Sequence, residues 1–488
     1  MRPDAIIKTS LSPTDDTFVS VDTNVSRRGM SSTLQRLGLW TSCLAQLIVV
    51  LDVSVVNVAL PSIQADLGLG RVTASWVAMA YSLGFAGLLL VGARLADVVG
   101  TARLLVWSVA AFTVASVIGG LATEGWVLIA ARAAQGISAA AASPATFTLL
   151  TTTHAEGPDR TRAIAVWTAV SLAGGGLGNI ASGVLTDLIS WRATLLINLP
   201  IGVGVAIAAL VLYRRTTDQR DSGRIDTIGA VLATAAFTCA AYGLSAAGER
   251  AAGDLPLVAG SAAATLLVLL ILQQRRAPHK LVPGDLTRDR LIVLGNIATA
   301  LTGACFQVGL WYFLTFRMQT GFGYSPIQAG LAFLPLTASM LVVNLWFTPR
   351  LMKRCAPRLL IVAGAVIAVS GLIWLASVDR APFAVAVLVP TVGIGIGGGL
   401  MNTPLATLVT TGVRPKHAGA ASGLMNTAKQ FGGAVGLAGA TTAASSVGSD
   451  RAAFVLMAVA LLAVIATTAA IPAHRSGSQR AVTTGRAS

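Results

Sequence analysis

The sequence predicts an all-α membrane protein of fourteen spans, arranged as two six-helix halves with a two-helix insert between them. Three observations predict it: only 11% of the 488 residues are charged, the mean hydropathy is +0.74, and long apolar runs recur along the chain. Soluble domains carry about 25% charged residues, so this chain lacks the polar surface that soluble globules would need. The four cysteines have no CxxC spacing, which argues against a disulfide scaffold or a structural zinc site.

Fourteen apolar runs are long enough to cross a bilayer, because a helix needs roughly 20 residues to span a core of about 30 Å. Continuous runs favour helices over the short alternating strands of a membrane barrel. The runs cover 37–60, 74–95, 104–122, 126–152, 164–186, 193–213, 227–246, 256–274, 292–316, 327–348, 359–377, 383–411, 421–447 and 452–472.

Basic residues concentrate in alternate loops between these runs. Arg214, Arg215, Arg350 and Arg354 belong to the richly basic set, whereas loops of the other set hold single arginines such as Arg192. The positive-inside rule places the basic set in the cytoplasm, which predicts a multi-pass protein of the cell membrane with both termini cytoplasmic. Nucleic acid is disfavoured as a partner despite the net charge of +15, since it would need a basic face on a soluble surface.

An internal repeat predicts the domain order. Arg94-Leu95 of the first half matches Arg350-Leu351 of the second, and Pro144 matches Pro404. Two parallel six-helix repeats are a transporter arrangement with the binding site at their interface, and the insert should then pack at the periphery. The predicted units are a disordered cytoplasmic tail (1–36), the first half (37–213), the insert with basic cytoplasmic loops (214–291), the second half (292–472) and a second disordered cytoplasmic tail (473–488).

Two charged residues within spans are candidates for proton coupling. Asp52 lies deep in the first apolar run and Arg132 lies in the fourth, with Gln135 and Gly136 on the same helical face. Burial disfavours a charged carboxylate, so Asp52 is a candidate proton carrier and Arg132 a charge that competes with its proton. The alternatives remain open that Asp52 is a structural hydrogen-bond anchor and Arg132 a packing residue bonded to carbonyls.

Two further patterns are candidates for a role in conformational change. The loop after the second run combines acidic, basic and glycine residues, and the fifth run carries a stripe of small residues that lets helix backbones approach closely. An ordinary basic loop and plain helix packing are the alternatives. The candidate residues are Arg94, Asp97, Gly100, Arg103, Gly174, Gly178 and Gly183.

Polar or amphipathic side chains within spans are candidates for the substrate cavity, because facing lipid would cost them free energy. Each could equally form an interhelical hydrogen bond. The candidates are Asn57, Gln135, Gln307, Trp311, Asn402, Asn426 and Lys429.

No pattern predicts a cofactor, a metal or an enzyme active site. The GxGxxG match at Gly393–Gly398 lies inside a span with no preceding strand, and no GxxxxGK[ST] sequence occurs. The four histidines are isolated, without metal-ligand spacing.

These motifs resemble the major facilitator superfamily, specifically its fourteen-helix drug/proton antiporter branch, which includes bacterial multidrug and antibiotic exporters. The chain departs from the branch pattern at Ala93, which replaces a glycine, and at Asn179 and Ser182, which replace a proline and a glycine in the fifth span. The matching segments are Leu51–Pro61, Ala93–Arg103, Arg132–Gly136, Trp191-Arg192 with Asn198–Gly202, Gly323–Pro326 with Ala329-Gly330, and Ala418–Gly423.

The resemblance implies a monomeric secondary active transporter that works by alternating access. It would export an amphipathic organic compound, such as a drug, an antibiotic or a toxic metabolite, in exchange for protons. Fold does not separate efflux from uptake, so a dedicated exporter or uptake carrier of one metabolite stays an alternative. A transport-inactive sensor is the other, although Asp52 and Arg132 are retained.

Overall fold

The structure, a computed structural model, describes residues 32–154, 157–215, 226–248, 253–277, 282–378, 381–411, 413–414 and 417–471. The predicted tails lie outside the described residues, except that 32–36 are helical. There the tail prediction is wrong, because the first membrane helix continues into an exposed polar turn that still forms the backbone bonds of the helix. The side chain of Asp97 is also outside what is described.

Helices make up every regular element of the described part of the chain. Three π-helical segments, Arg317–Gly321, Val343–Phe347 and Ala384–Leu388, widen individual spans. The α-helices are α1 (Ser32–Asp66), α2 (Arg71–Val99), α3 (Thr101–Gly120), α4 (Gly125–Thr153), α5 (Pro158–Leu188), α6 (Trp191–Leu196), α7 (Asn198–Arg215), α8 (Thr227–Ala246), α9 (Leu255–Arg276), α10 (Gly284–Arg288), α11 (Arg290–Phe306), α12 (Gly309–Phe316), α13 (Pro326–Ala332), α14 (Leu334–Val342), α15 (Thr348–Met352), α16 (Pro357–Ser377), α17 (Val389–Thr410), α18 (Ala418–Val447) and α19 (Asp450–Ala470).

Twelve helical stretches of the described residues are long and apolar enough to cross a membrane. The helices α4 and α18, with 29 and 30 residues, are as long as these but are not among the twelve. Both coincide with predicted apolar runs, at 126–152 and 421–447.

The two helices of the predicted insert, α8 and α9, pack against one side of the bundle. Helix α9 packs on α8, and α8 packs in turn on α2 of the first half and on α18 of the second. The ring of Phe237 on α8 stacks on Phe431 of α18 with centroids 4.0 Å apart. The insert therefore touches both halves from one side.

The sixth predicted span is broken into α6 and α7 at Ile197. Pro200 explains the break, because it has no N–H to donate to the carbonyl of Leu196 and its ring would clash with that carbonyl. The break makes Asn198 the first residue of α7, deep in the bundle.

The two ends of the bundle can be identified from one contact. Arg71 at the start of α2 pairs with Asp450 at the start of α19, with Nη1 and Oδ1 2.8 Å apart. We call this end the far side. The start of α1 and the end of α19 lie at the opposite end, which we call the termini side.

Candidate functional site

Asp52 of α1 is completely buried and is bonded by side chains of two other helices. Arg132 of α4 forms an ion pair with Oδ2. Gln135 Nε2 donates to Oδ1 at 2.8 Å, and Asn198 Nδ2 of α7 donates to the same oxygen at 2.7 Å. Both carboxylate oxygens therefore accept hydrogen bonds inside the first half.

The guanidinium of Arg132 is enclosed as completely as its partner. Its Nη1 also donates to Gln135 Oε1 at 2.8 Å, and its Nε donates to the carbonyl of Val77 at 3.2 Å. Its central carbon lies 4.6 Å from the centroid of the Tyr81 ring. A buried charge is tolerated when it is paired and hydrogen-bonded in this way.

Ser116 of α3 and Asn198 complete the network, and neither was a candidate from the sequence. Ser116 Oγ accepts from Gln135 Nε2 at 2.7 Å and from Asn198 Nδ2 at 3.3 Å. Asn198 follows the helix break set by Pro200, so an asparagine two residues before a proline within a span was the available signal. Nothing comparable marks Ser116 in the sequence.

The arrangement suits an ionised carboxylate, which can only accept hydrogen bonds. Arg132, Gln135 and Asn198 all donate to Asp52. A proton on Asp52 would turn an acceptor into a donor and would leave Arg132 without its counter-ion. The network therefore links Asp52 of α1 to side chains of α3, α4 and α7.

The small-residue stripe of α5 packs against α1 at the level of Asp52. A Cβ on Gly178 would lie 2.7 Å from Ser54 Cβ, and Ser182 Oγ donates to the carbonyl of Val55. Gly174 faces Leu47 and Val50 on the same surface. The stripe thus holds α5 against the helix that contains Asp52.

Another side of α5 contacts the second half. A Cβ on Gly183 would lie 2.6 Å from the carbonyl of Pro326, and one on Gly330 would lie 2.6 Å from the carbonyl of Asn179. Helices α5 and α13 therefore meet nearly backbone to backbone. A movement of α1 can reach the second half through this contact.

The loop candidates lie at the termini side. Gly100 joins α2 to α3 with a φ of 98°, a backbone conformation that favours glycine. Arg94 and Arg103 are exposed. These positions fit the predicted tight turn between the second and third spans.

The seven cavity candidates fall into different surroundings. Gln135 is bonded to Asp52, and Asn57 is buried on the same helix as Asp52. Trp311 Nε1 donates to the carbonyl of Phe306 at 2.9 Å. The structure thus places Gln135 within the carboxylate network, away from open space.

The other candidates belong to the second half. A Cβ on Gly433 of α18 would contact Gln307, the residue that follows α11, and Lys429 lies one turn before Gly433. Lys429 is partly buried. Asn426 on α18 and Asn402 on α17 are both exposed. Gln307 and Lys429 are therefore brought together at the seam between α11 and α18.

Three polar contacts join the two halves at the far side. Besides the Arg71–Asp450 pair, Tyr312 Oη donates to the carbonyl of Arg71 at 3.0 Å and Gln319 Nε2 donates to the carbonyl of Val58 at 2.7 Å. Opening this side requires these contacts to break.

No group of three or more histidine, cysteine, aspartate or glutamate residues that could hold a metal ion occurs within the described ranges.

The family model of the Major Facilitator Superfamily matches residues 42–437 of this chain. The chain is 46% identical to the cephamycin export protein CmcT of Amycolatopsis lactamdurans, covering 88% of this chain and 91% of the relative. It is 37% identical to the puromycin resistance protein pur8 of Streptomyces alboniger, covering 82% and 80%.

A solved structure has the same fold. It is a crystal structure of a mutant of the nucleoside transporter NupG, with a TM-score of 0.63 and 14% sequence identity. The match covers 89% of this chain and 99% of that one. At this identity the likeness concerns the fold alone.

Proposed function

This chain belongs to the major facilitator superfamily as a drug or antibiotic efflux transporter, and we propose that it exports an amphipathic organic compound in exchange for protons. It is a transporter and not an enzyme. The observation that supports proton coupling is the buried Asp52–Arg132 pair, since an ionisable group inside a span marks a proton or ion pathway by default.

The proton step follows from the hydrogen bonds of Asp52. Protonation removes the charge that holds Arg132, and removing one partner of a buried ion pair costs about 3–5 kcal/mol. The network must therefore repack when the proton binds. Because Ser116 and Asn198 belong to it, the change involves α3 and α7 as well as α1 and α4.

Helix α5 is the proposed link to the second half. It packs on α1 through Gly178 and Ser182 and on α13 through Gly183. Rocking of one six-helix repeat against the other is the usual way in which such transporters alternate access. A proton on Asp52 would bias that rocking through α5.

The proposed substrate pathway runs between the halves. We assign Asn57, Gln307, Trp311, Asn402, Asn426 and Lys429 to its polar lining, with Gln135 serving Asp52. The names of the relatives favour an antibiotic as the compound. Similarity to a cephamycin export protein over 88% of the chain also favours a second candidate, a dedicated exporter of one such compound.

Fourteen spans are proposed, with α4 and α18 added to the twelve apolar stretches. Both are enclosed by neighbouring helices, and both carry the polar residues of the interior, such as Arg132 and Lys429. A span that faces protein needs small and polar residues more than apolar ones. We propose that the termini side faces the cytoplasm, which the basic loops support, and we expect a monomer.

Inverted membrane vesicles test the function. With an imposed proton gradient, the wild-type protein should accumulate puromycin or a cephamycin. Asp52→Asn should abolish gradient-driven accumulation but retain exchange of labelled for unlabelled compound across the membrane. Asp187→Asn, which changes an exposed acid at the far-side end of α5, is the matched control and should behave as wild type.

Asp52→Glu should keep part of the accumulation, because it retains a carboxyl group near Arg132. Full gradient-driven accumulation by Asp52→Asn, abolished by a protonophore in the same vesicles, would show that the proton travels elsewhere.

A further inference from the structure

An apolar groove of about 520 Å³ lies on the outer surface of the second half, beside the insert. Phe237 of α8 forms one wall, Ile297 and Ala300 of α11 a second, and Leu424 and Ala428 of α18 a third. Its surface is almost entirely hydrocarbon and it is open on one side. The insert thus creates a cleft that the two halves alone would not enclose.

The groove does not communicate with the interior between the halves. A Cβ on Gly432 of α18 would overlap the carbonyl of Ala300 of α11, and one on Gly436 would overlap Ala304. The two helices therefore meet backbone to backbone along the floor of the groove. An occupant would enter from the bilayer and would remain outside the proposed transport pathway.

The length of the groove matches one leaflet. It runs along α11 from Val293 to Ala304, which is roughly 16 Å at 1.5 Å per residue. Half of a hydrocarbon core of about 30 Å is nearly the same distance. At the termini side it ends against Leu286 and Thr287 of the short helix α10.

Exposed arginines follow closely in the sequence on the residues at that end. Arg288 follows Thr287 in α10, Arg290 is the first residue of α11, and Arg275 and Arg276 are the last two residues of α9, which packs on α8. No hydrogen bond or ion pair engages these four within the part of the chain that the structure describes.

The nearby carboxylates already have partners. Asp285 pairs with Arg414 at 3.1 Å, Asp289 accepts from the backbone N–H of Leu291 at 2.8 Å, and Asp226 accepts from Gln273 at 2.8 Å. Among the described residues of this region, Arg275, Arg276, Arg288, Arg290 and Arg414 outnumber these three carboxylates, so the end of the groove carries a net positive charge.

We propose that this groove is a binding site for an anionic phospholipid such as phosphatidylglycerol. One acyl chain lies between α8, α11 and α18, and the phosphate group is paired with Arg288 and Arg290. Hydrocarbon walls of one leaflet's length and a basic mouth fit these two parts of a lipid. The lipid would fill the space between the insert and the second half.

Photochemical crosslinking tests the site on the full-length protein. Nanodiscs of phosphatidylcholine carry a trace of phosphatidylglycerol with a diazirine at the end of one acyl chain, and adducts are mapped to peptides. We expect adducts on α11 and α18 that excess phosphatidylglycerol removes and excess phosphatidylcholine does not. Adducts on the outward face of α16, around Val366 and Ile373, are the internal reference for ordinary bilayer contact.

Variants separate the two parts of the site. Ala300→Trp and Ala428→Trp fill the groove from opposite walls, and each should lower α11 and α18 adducts at least fivefold while leaving those on α16 unchanged. The double change Arg288→Gln with Arg290→Gln should lower the preference for phosphatidylglycerol roughly tenfold or more, since each basic residue near a lipid surface contributes about 1 kcal/mol. Arg162→Gln, another exposed arginine at the termini side, should have no effect.

Unchanged adducts in both tryptophan variants would overturn the proposal, as would equal competition by the two lipids. Displacement of the probe by puromycin or a cephamycin would also overturn it, because the groove would then be a substrate site. Arg288 and Arg290 are exposed, so the double arginine variant should fold normally. Its preference for phosphatidylglycerol therefore tests the proposal even if a tryptophan variant fails to fold, and an unchanged preference would overturn it.

Discussion

At the centre of the first half, α4 contributes a guanidinium and an amide, whereas its repeat counterpart α17 contributes glycines. Pro144 of α4 and Pro404 of α17 mark the two helices as counterparts. In the first half Arg132 and Gln135 bond to Asp52. In the second half Gly397 meets the backbone of Gly364 on α16.

Under the proposed proton coupling, the two centres should respond differently to a change in proton concentration. Polar side chains that share one carboxylate must rearrange when it binds a proton, but backbone contacts between glycines do not titrate. We therefore expect coupling to depend on the first half and the second half to act as a rigid partner. Variants of each centre test this difference between the halves.

The largest effect is expected for Arg132→Gln. It leaves Asp52 buried without a cation, which costs about 3–5 kcal/mol of stability. Gradient-driven accumulation in vesicles should fall to background. Arg317→Gln, which changes a buried arginine of the second half, should lower thermal stability but keep the dependence on the gradient. Equal loss of proton coupling in the Arg132 and Arg317 variants would contradict a difference between the two halves.

Asn198→Ala removes one of the donors to Asp52, and a hydrogen bond to a charged group contributes about 1.5–3 kcal/mol. Loss of this donor weakens the network around Asp52, so the pH profile of export should differ from that of the wild type. Asn344→Ala removes the acceptor for Thr403 in the second half and should leave the profile unchanged. A shift of the same size in the Asn344 variant would contradict a role confined to the Asp52 network.

Gly397→Ala tests the second centre, because its Cβ would overlap the carbonyl of Gly364. Overpacking of this kind typically costs about 1–3 kcal/mol, so the Tm in detergent should fall while the remaining export stays proton-dependent. Gly393→Ala on the same helix, where no atom lies within 4 Å of the added Cβ, should be neutral or slightly stabilising. A loss of proton dependence in Gly397→Ala would place coupling in both halves.

The smallest effect is expected for Asp450→Asn at the contact between the halves on the far side. A partly exposed ion pair contributes about 0–1 kcal/mol, so the rate of export should change by at most about fivefold, upward if opening of this side limits turnover. Asp66→Asn breaks a pair with Arg192 that lies within the first half, and it should not change the rate. A larger change in the Asp66 variant would show that the far-side contact has no special role.

The sequence by itself predicted the membrane class, the positions of the spans and the Asp52–Arg132 candidates. Long apolar runs indicate membrane spans because a segment that faces lipid must form a helix, which pairs its backbone polar groups, and must avoid charged side chains. The same reasoning isolates Asp52 and Arg132, since charges within such runs stand out. The family assignment that the motifs suggested is confirmed by the match to residues 42–437.

The sequence did not indicate which polar residues share a site, and the packing of the helices shows it. Asn198 is 146 residues from Asp52, and no local pattern connects them. Gln135 lies on the predicted face of α4, but the carboxylate reached by that face comes from another helix. The groove beside the insert depends on three helices that are distant in the sequence. Hydropathy is a property of each segment, whereas hydrogen-bond partners and clefts depend on how the segments pack together.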